Sequence, residues 1–335
     1  MFQECFFLKR NETIEKSKGE KMRNIVIVLL LITINIIHAQ DVQNIQVIQG
    51  NYLDQTLPGD TPLVFAPGIV SDNFQQHGAP SFSPDGNEIL WQTNQQTGKD
   101  NDEWITSSMT MRRNEGIWGP PAISPYSFMP FFSPDGKRIY FQPEGKNDIS
   151  YVEKNGSGWS EPKSINLVSQ YPELKQAFYP SVAQNGTLYF MASAIGQWNN
   201  VGIYRVELKN GEYTKPELLP KNINVPGNSR NWAPFIAPDE SYLIFCSTRG
   251  LSQYDQGDLF ICFRQPDSTW TEPENMGAPI NTNQMERFSY VSPDGKFLFF
   301  TRDVPPDYLE DVFWVSSSII EKLKRKAIQE KRLKQ

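Results

Sequence analysis

Five stretches decide the fold: Ala79-Pro-Ser-Phe-Ser-Pro-Asp-Gly86, Met129-Pro-Phe-Phe-Ser-Pro-Asp-Gly136, Tyr179-Pro-Ser-Val-Ala-Gln-Asn-Gly186, Ala233-Pro-Phe-Ile-Ala-Pro-Asp-Glu240 and Phe288-Ser-Tyr-Val-Ser-Pro-Asp-Gly295. Pro80, Pro130, Pro180, Pro234 and Ser289 share one position, and the spacings between them are 50, 50, 54 and 55 residues. A period of that length matches one four-stranded propeller blade. In each turn proline presets φ, Asp or Asn can bond its own backbone, and glycine accepts φ > 0, so the chain reverses sharply.

A second strand follows every turn: Glu88-Ile-Leu-Trp91, Arg138-Ile-Tyr-Phe141, Thr187-Leu-Tyr-Phe190, Tyr242-Leu-Ile-Phe245 and Phe297-Leu-Phe-Phe300. These are branched and aromatic runs of strand length. A third strand contains Trp104, Tyr151, Tyr204, Phe260 or Phe313, and a fourth opens on Trp118, Trp159, Tyr213 or Trp270, each three residues before a proline. Proline belongs on an edge strand, where its missing N–H costs no ladder bond. The fifth repeat has no such strand, and Pro62-Leu-Val-Phe-Ala-Pro-Gly-Ile69 matches Pro273-Glu-Asn-Met-Gly-Ala-Pro-Ile280 in spacing. The expectation is an all-β propeller of five four-stranded blades, closed by an N-terminal strand that completes the last blade. Residues 41–60 leave room for a degenerate sixth.

The repeats resemble the TolB-type, WD-repeat-like propeller family over residues 62–316. The third copy departs at Gln184-Asn185 and the fourth at Glu240. The resemblance implies an exported scaffold that binds other envelope proteins; family members more often carry six or seven blades.

Lys21 and Arg23 precede an apolar run from Ile25 to Ile37, then His38-Ala39-Gln40. This is the pattern of a secretory signal, too short for a span of roughly 20 residues. Residues 22–39 therefore read as a signal peptide and residues 1–21 as an extension upstream of the true start at Met22. The propeller is expected over 41–318, a basic helix or tail over 319–335, and a periplasmic or secreted location without a stable membrane span.

The chain carries −6 overall, +5 on residues 321–335 and +2 on residues 1–40, which leaves −13 on residues 41–320. An acidic body argues against nucleic acid. An envelope protein or an anionic glycan is the expected partner, held by a monomer. Cys246 and Cys262, the only cysteines after the signal, fall in adjacent strands; they read either as a cross-strand disulfide or as two buried thiols.

His77 is the one histidine after the signal, which rules out a histidine-rich metal centre and restricts any triad. Lys99-Asp-Asn-Asp-Glu103 has the composition but not the spacing of a calcium loop. No phosphate loop or nucleophile elbow is present, so neither cofactor nor metal is expected. Strand order sends Asp85, Asp135, Asp239 and Asp294 to the turn face as structural residues. The opposite face, where loops enter the first strands and join second to third, should carry the ligand groups His77, Tyr126, Arg230, Trp232, Arg249, Arg287 and Arg302. The acids nominated for catalysis are Glu144, Glu286 and Asp303. Arginines beside aromatics suit a carboxylate or sulfate; the same arginines could instead pair with Glu286 and Asp303. The leading reading is a non-catalytic binding propeller, and the alternative is a lyase or hydrolase of an anionic polysaccharide.

Overall fold

The computed structural model of the protein describes residues 48–72, 74–97, 103–193, 201–225, 230–250, 257–305 and 309–333. The upstream extension, the signal segment and residues 98–102 of the acidic loop lie outside the described residues. The rest forms five antiparallel sheets in a ring. From the channel outward, the first three strands are Ser81–Phe82, Glu88–Thr97 and Glu103–Asn114 in blade 1, and Phe128–Phe132, Arg138–Gln142 and Ser150–Asn155 in blade 2. They are Gln176–Val182, Leu188–Ser193 and Gly202–Val206 in blade 3, Asn231–Ile236, Tyr242–Ser247 and Asp258–Phe263 in blade 4, and Glu286–Val291, Phe297–Val304 and Leu309–Ser316 in blade 5. The outermost strand of blade 5 is Leu63–Val64, in register with Trp314 and Phe313, so the N-terminal segment closes the ring.

The outer strand is where the structure departs from the simple repeat. In blade 1, Ile117–Trp118 pairs with Arg113 and Asn114, and only after Pro120-Pro121 does Ala122–Ile123 pair with Met109 and Thr110. Blade 2 breaks the same way. The prolines that were read as edge-strand markers split the fourth strand in two, because a residue without an N–H interrupts the ladder. The region set aside for a sixth blade holds instead a short 3₁₀ turn, Tyr52–Asp54, whose tyrosine packs edge-on against Phe82 and Phe297.

The turn motif builds itself from its own side chains. Ser83 donates to Asp85 at 2.6 Å, and the Asp85 carboxylate accepts the amide of Asn87 at 3.0 Å. The arrangement recurs with Ser133 and Asp135 and with Ser292 and Asp294. Burial opposes ionisation of Asp294, yet hydrogen bonds from Ser292, Tyr52 and the Lys296 amide hold its carboxyl below the usual range. Asn185 and Asp239 keep the backbone bond without the serine. Glu240, standing where the other copies have glycine, adopts φ 57°. Its carboxylate accepts from Tyr189 at 2.6 Å and Asn185 at 2.9 Å, which ties blade 4 to blade 3 and offsets the strain.

The proline one turn earlier has a different purpose. Met129, Tyr179, Ala233 and Phe288 all lie near φ +50°, each just before the shared Pro or Ser position. Each marks a bulge where the inner strand slips register against its neighbour. Two residues there face no ladder partner, so proline loses nothing. The ring is then stitched by side chains beyond the bulge. Ser81 accepts the amide of Phe132 at 3.0 Å, Ser181 that of Ile236 at 2.9 Å, and the Tyr290 hydroxyl that of Phe82 at 3.2 Å.

Cys246 and Cys262 are free buried thiols, paired in register with Leu259 and Leu243 rather than with each other. The C-terminal helix Ser318–Leu333 docks through buried Ile320 and Leu323 and through Lys322 to Asp60 at 2.7 Å and Lys326 to Glu274 at 3.1 Å. No helix among the described residues is long and apolar enough to cross a membrane.

Phe65 follows the closing strand directly, is fully buried, and meets Phe299 at 5.1 Å, Trp314 at 5.2 Å and Phe82 at 6.1 Å. Phe65→Ala is therefore expected to cost about 3–5 kcal/mol in chemical unfolding, and removal of residues 48–70 to abolish the cooperative transition of the whole ring. A truncated chain that melts like the intact one would refute closure by this segment.

Candidate functional site

The five inner strands bring two aromatic layers onto the axis. The lower layer is Phe82, Phe131, Phe235 and Tyr290, with ring centroids 5.5 Å apart for Phe235–Tyr290 and 5.9 Å for Phe131–Tyr290. The upper layer, on the loop face, is His77, Phe128, Phe178, Tyr179 and Phe288; His77 and Phe288 are 4.7 Å apart and Tyr179 and Phe288 5.3 Å. Between them the inner strands of all five blades border a space of about 50 Å³. Organic ligands occupy pockets of roughly 300–1,000 Å³, so the loop-face half of the channel is packed and any recognition on this side happens at its mouth; toward the turn face the lower layer borders a space of about 240 Å³. Two wider polar clefts, of about 480 and 420 Å³, open on the turn face between blades 1 and 2 and blades 2 and 3.

The charge at the mouth centres on a residue the motif reading passed over. Glu310 is fully buried and accepts from Arg287, from Thr301 at 2.9 Å and, across the closing seam, from His77 Nδ1 at 3.2 Å. Burial opposes its ionisation, but Arg287 and His77 outweigh that and hold the carboxyl down to about 2. Glu286 is also fully buried and accepts from Arg302 at 2.8 Å and Thr282 at 2.6 Å. Burial pushes its carboxyl up, against the pull of those donors.

The nominated residues thus divide. His77 and Arg287 meet on Glu310, while Arg302 lies on Glu286 and the Pro279 and Ile280 carbonyls; all three are partners of buried acids. Arg249, expected to hold a ligand, spends its donors on the Asn222 and Ile223 carbonyls, Asn231 and Ser247. Tyr126, expected on this face, lies in the core of blade 2 with Leu90, Phe132, Ile139 and Phe141. Its aromatic ring makes it a core residue, although it sits at the same offset from its proline as Arg230 does. Glu144 is exposed in a turn and has no hydrogen bond or ion pair. Trp232 is buried beneath the Arg230 guanidinium, 5.1 Å from ring to cation. The described residues hold no group of three acids, histidines or cysteines fit for a metal.

Asp303 is the half-buried acid left over. It sits opposite Glu310 in the ladder, and no hydrogen bond reaches its carboxylate. Burial raises it to about 6, with help from Glu310 and Glu286 and against Arg287.

No family model and no curated protein matches the chain. Solved structures do. A glycoside hydrolase is 13% identical, covering 79% of this chain and 93% of its own, with a TM-score of 0.51. A protein of unknown function from Dyadobacter fermentans is 12% identical over 77% of this chain and 83% of its own, with a TM-score of 0.47. TolB from Acinetobacter baumannii is 13% identical, covering 71% of this chain, with a TM-score of 0.42; the chain spans 56% of that structure's length. At these identities the likeness is one of fold alone.

Two outcomes follow from the acids. Glu310→Gln strands Arg287 and should destabilise the ring by about 3–5 kcal/mol in urea unfolding. Asp303 works in the opposite sense: its folded value of about 6 lies above the unfolded carboxylate near ~3.9, so its ionisation costs stability as pH rises through that window. Asp303→Asn should melt higher than the parent at pH 7.5, with the gap closing toward pH 4; an equal gap at both pH values would contradict this.

Proposed function

We propose that the chain is an exported, non-catalytic propeller that holds a partner on its loop face, as a monomer, in the periplasm or the medium. The segment 22–39 supports export, and the −13 carried by residues 41–320 disfavours nucleic acid. One observation carries the binding reading: Glu286 and Glu310 are sealed and saturated with donors. A glycosidase needs two reachable carboxylates about 5–10 Å apart, and of the acids nominated at the mouth only Asp303 is left without a donor among the described residues. An envelope protein or an anionic glycan is the partner class.

A second reading draws on the contrast between Asp303, raised to about 6, and Glu310, held near 2. Environments that push two carboxyls apart are how acid and base roles are divided. Under that reading the chain would be a lyase or hydrolase with Asp303 as its acid beside the ionised Glu310.

Purified protein incubated with envelope-protein fractions, a glycan array and anionic polysaccharides separates the two. Retention of a partner with no shortened product, and its loss on Phe128→Glu at the mouth, is the expected result. Product formation that disappears in Asp303→Asn would replace the binding reading with the enzymatic one.

A further inference from the structure

Four arginines belong to the loop face, and three are spent. Arg249 is bound to carbonyls, Arg287 to Glu310 and Arg302 to Glu286. Arg230 differs. Its Nε and Nη2 are both shut off from solvent and neither has a hydrogen-bond partner. No carboxylate among the described residues pairs with it; Trp232 stacks on it at 5.1 Å. The third nitrogen, Nη1, is outside that seal.

The two unsatisfied nitrogens are not an arbitrary pair. In a guanidinium the Nε–H and one Nη2–H lie parallel on the same edge, the fork that takes both oxygens of a carboxylate. Leaving that edge dry and unpaired is costly. On the inner strand of the adjoining blade 3, Gln176 stands four residues before Pro180, as Arg230 stands before Pro234. Its Nε2 is likewise sealed and unbonded. The loop-face ends of blades 3 and 4 therefore carry three unpartnered donor nitrogens and one uncompensated positive charge.

We propose that Arg230, backed by Trp232 and assisted by Gln176, is the anchor for a single peptide carboxylate, an Asp or Glu side chain or a chain terminus of the partner. This deepens the loop-face binding reading and rests on it. One charge calls for one anion. A polyuronate would bring repeated negative charge to an acidic body, and Trp232, 6% exposed, backs the cation instead of offering a face to a sugar ring. The fork would gain a matched acceptor in a dry setting, where such a bond is strong. Lysine, a point charge without a fork, cannot reproduce it.

Arginine-selective ¹⁵N labelling tests this directly. The Nε–H signal that vanishes in Arg230→Lys is followed during titration with sodium acetate at constant ionic strength, then with acetyl-Gly-Gly-Asp, its doubly amidated analogue and tetragalacturonate. The inference expects that signal to move saturably with acetate while those of Arg249, Arg287 and Arg302 stay put. It expects the acidic peptide to bind at least tenfold tighter than the amide, and Arg230→Lys or Arg230→Gln to lose at least tenfold while melting like the parent. An Arg230 signal indifferent to acetate and peptide overturns the anchor, and so does preference for tetragalacturonate over the peptide. The two readings fail separately. A partner lost in Phe128→Glu but kept in Arg230→Lys removes the anchor and leaves the face. An Arg230 signal that answers acetate and peptide while no partner is retained leaves the anchor and removes the face reading.

Discussion

Each blade begins with a sheet edge that is buried. The innermost strand has a neighbour on one side only, and its other row of N–H and C=O groups points into a ring too narrow to admit solvent. Unpaired groups there would each cost about 1–3 kcal/mol, so the ring can exist only if neighbouring blades supply partners. They do so at two levels. On the loop face, carbonyls of Glu310, Asn147, Val201 and Gly257 accept the amides of Gln76, Ala177, Asn231 and Glu286 from the next blade. Below the bulge, the side chains of Ser81, Ser181 and Tyr290 take over. In blades 2 to 5 a left-handed residue, Met129, Tyr179, Ala233 or Phe288, separates the two levels, and in blades 2 to 4 the proline after it removes one donor that would otherwise need a home.

The same constraint explains the composition of the mouth. Where backbone partners end, polar side-chain pairs begin, and one crosses the closing seam: His77 comes from the start of blade 1 and Glu310 from the end of blade 5. Arg287 and Arg302 are spent within blade 5 on Glu310 and Glu286, and little of their charge is left for a ligand. Among the described residues, the charges nominated for this face that no internal partner consumes are Asp303 in blade 5 and Arg230 in blade 4.

Much of this was legible in the sequence. Five related turns at blade spacing, three of them Pro-Asp-Gly and each followed by an aromatic strand, specify the sheet count, and the match between residues 62–69 and 273–280 gives the closing strand. The site was less legible, for physical reasons. Offsets from the motif place backbone and say nothing about which way a side chain points: Tyr126 and Arg230 share an offset, and one is core while the other is a cation at the mouth. Glu310 was missed because it begins a strand and looks like loop in isolation. Its signal was indirect, in that His77 and Arg287 both require a counter-charge near Thr301. That three arginines would be spent on internal partners and one left idle depends on carbonyl positions that no pattern of residue types encodes.

The closing ladder has a mechanical side. Leu63 lies opposite Trp314 and Val64 opposite Phe313, and Ser316 donates to Gly59, so the segment leading into this strand and the segment leaving its partner emerge at the same end. Tension applied through the two ends of the chain would load these bonds one after another, as in a zipper, instead of shearing them together. A ring held against heat by buried aromatics would on that account yield to a modest pull along its own termini, and would open at blade 5.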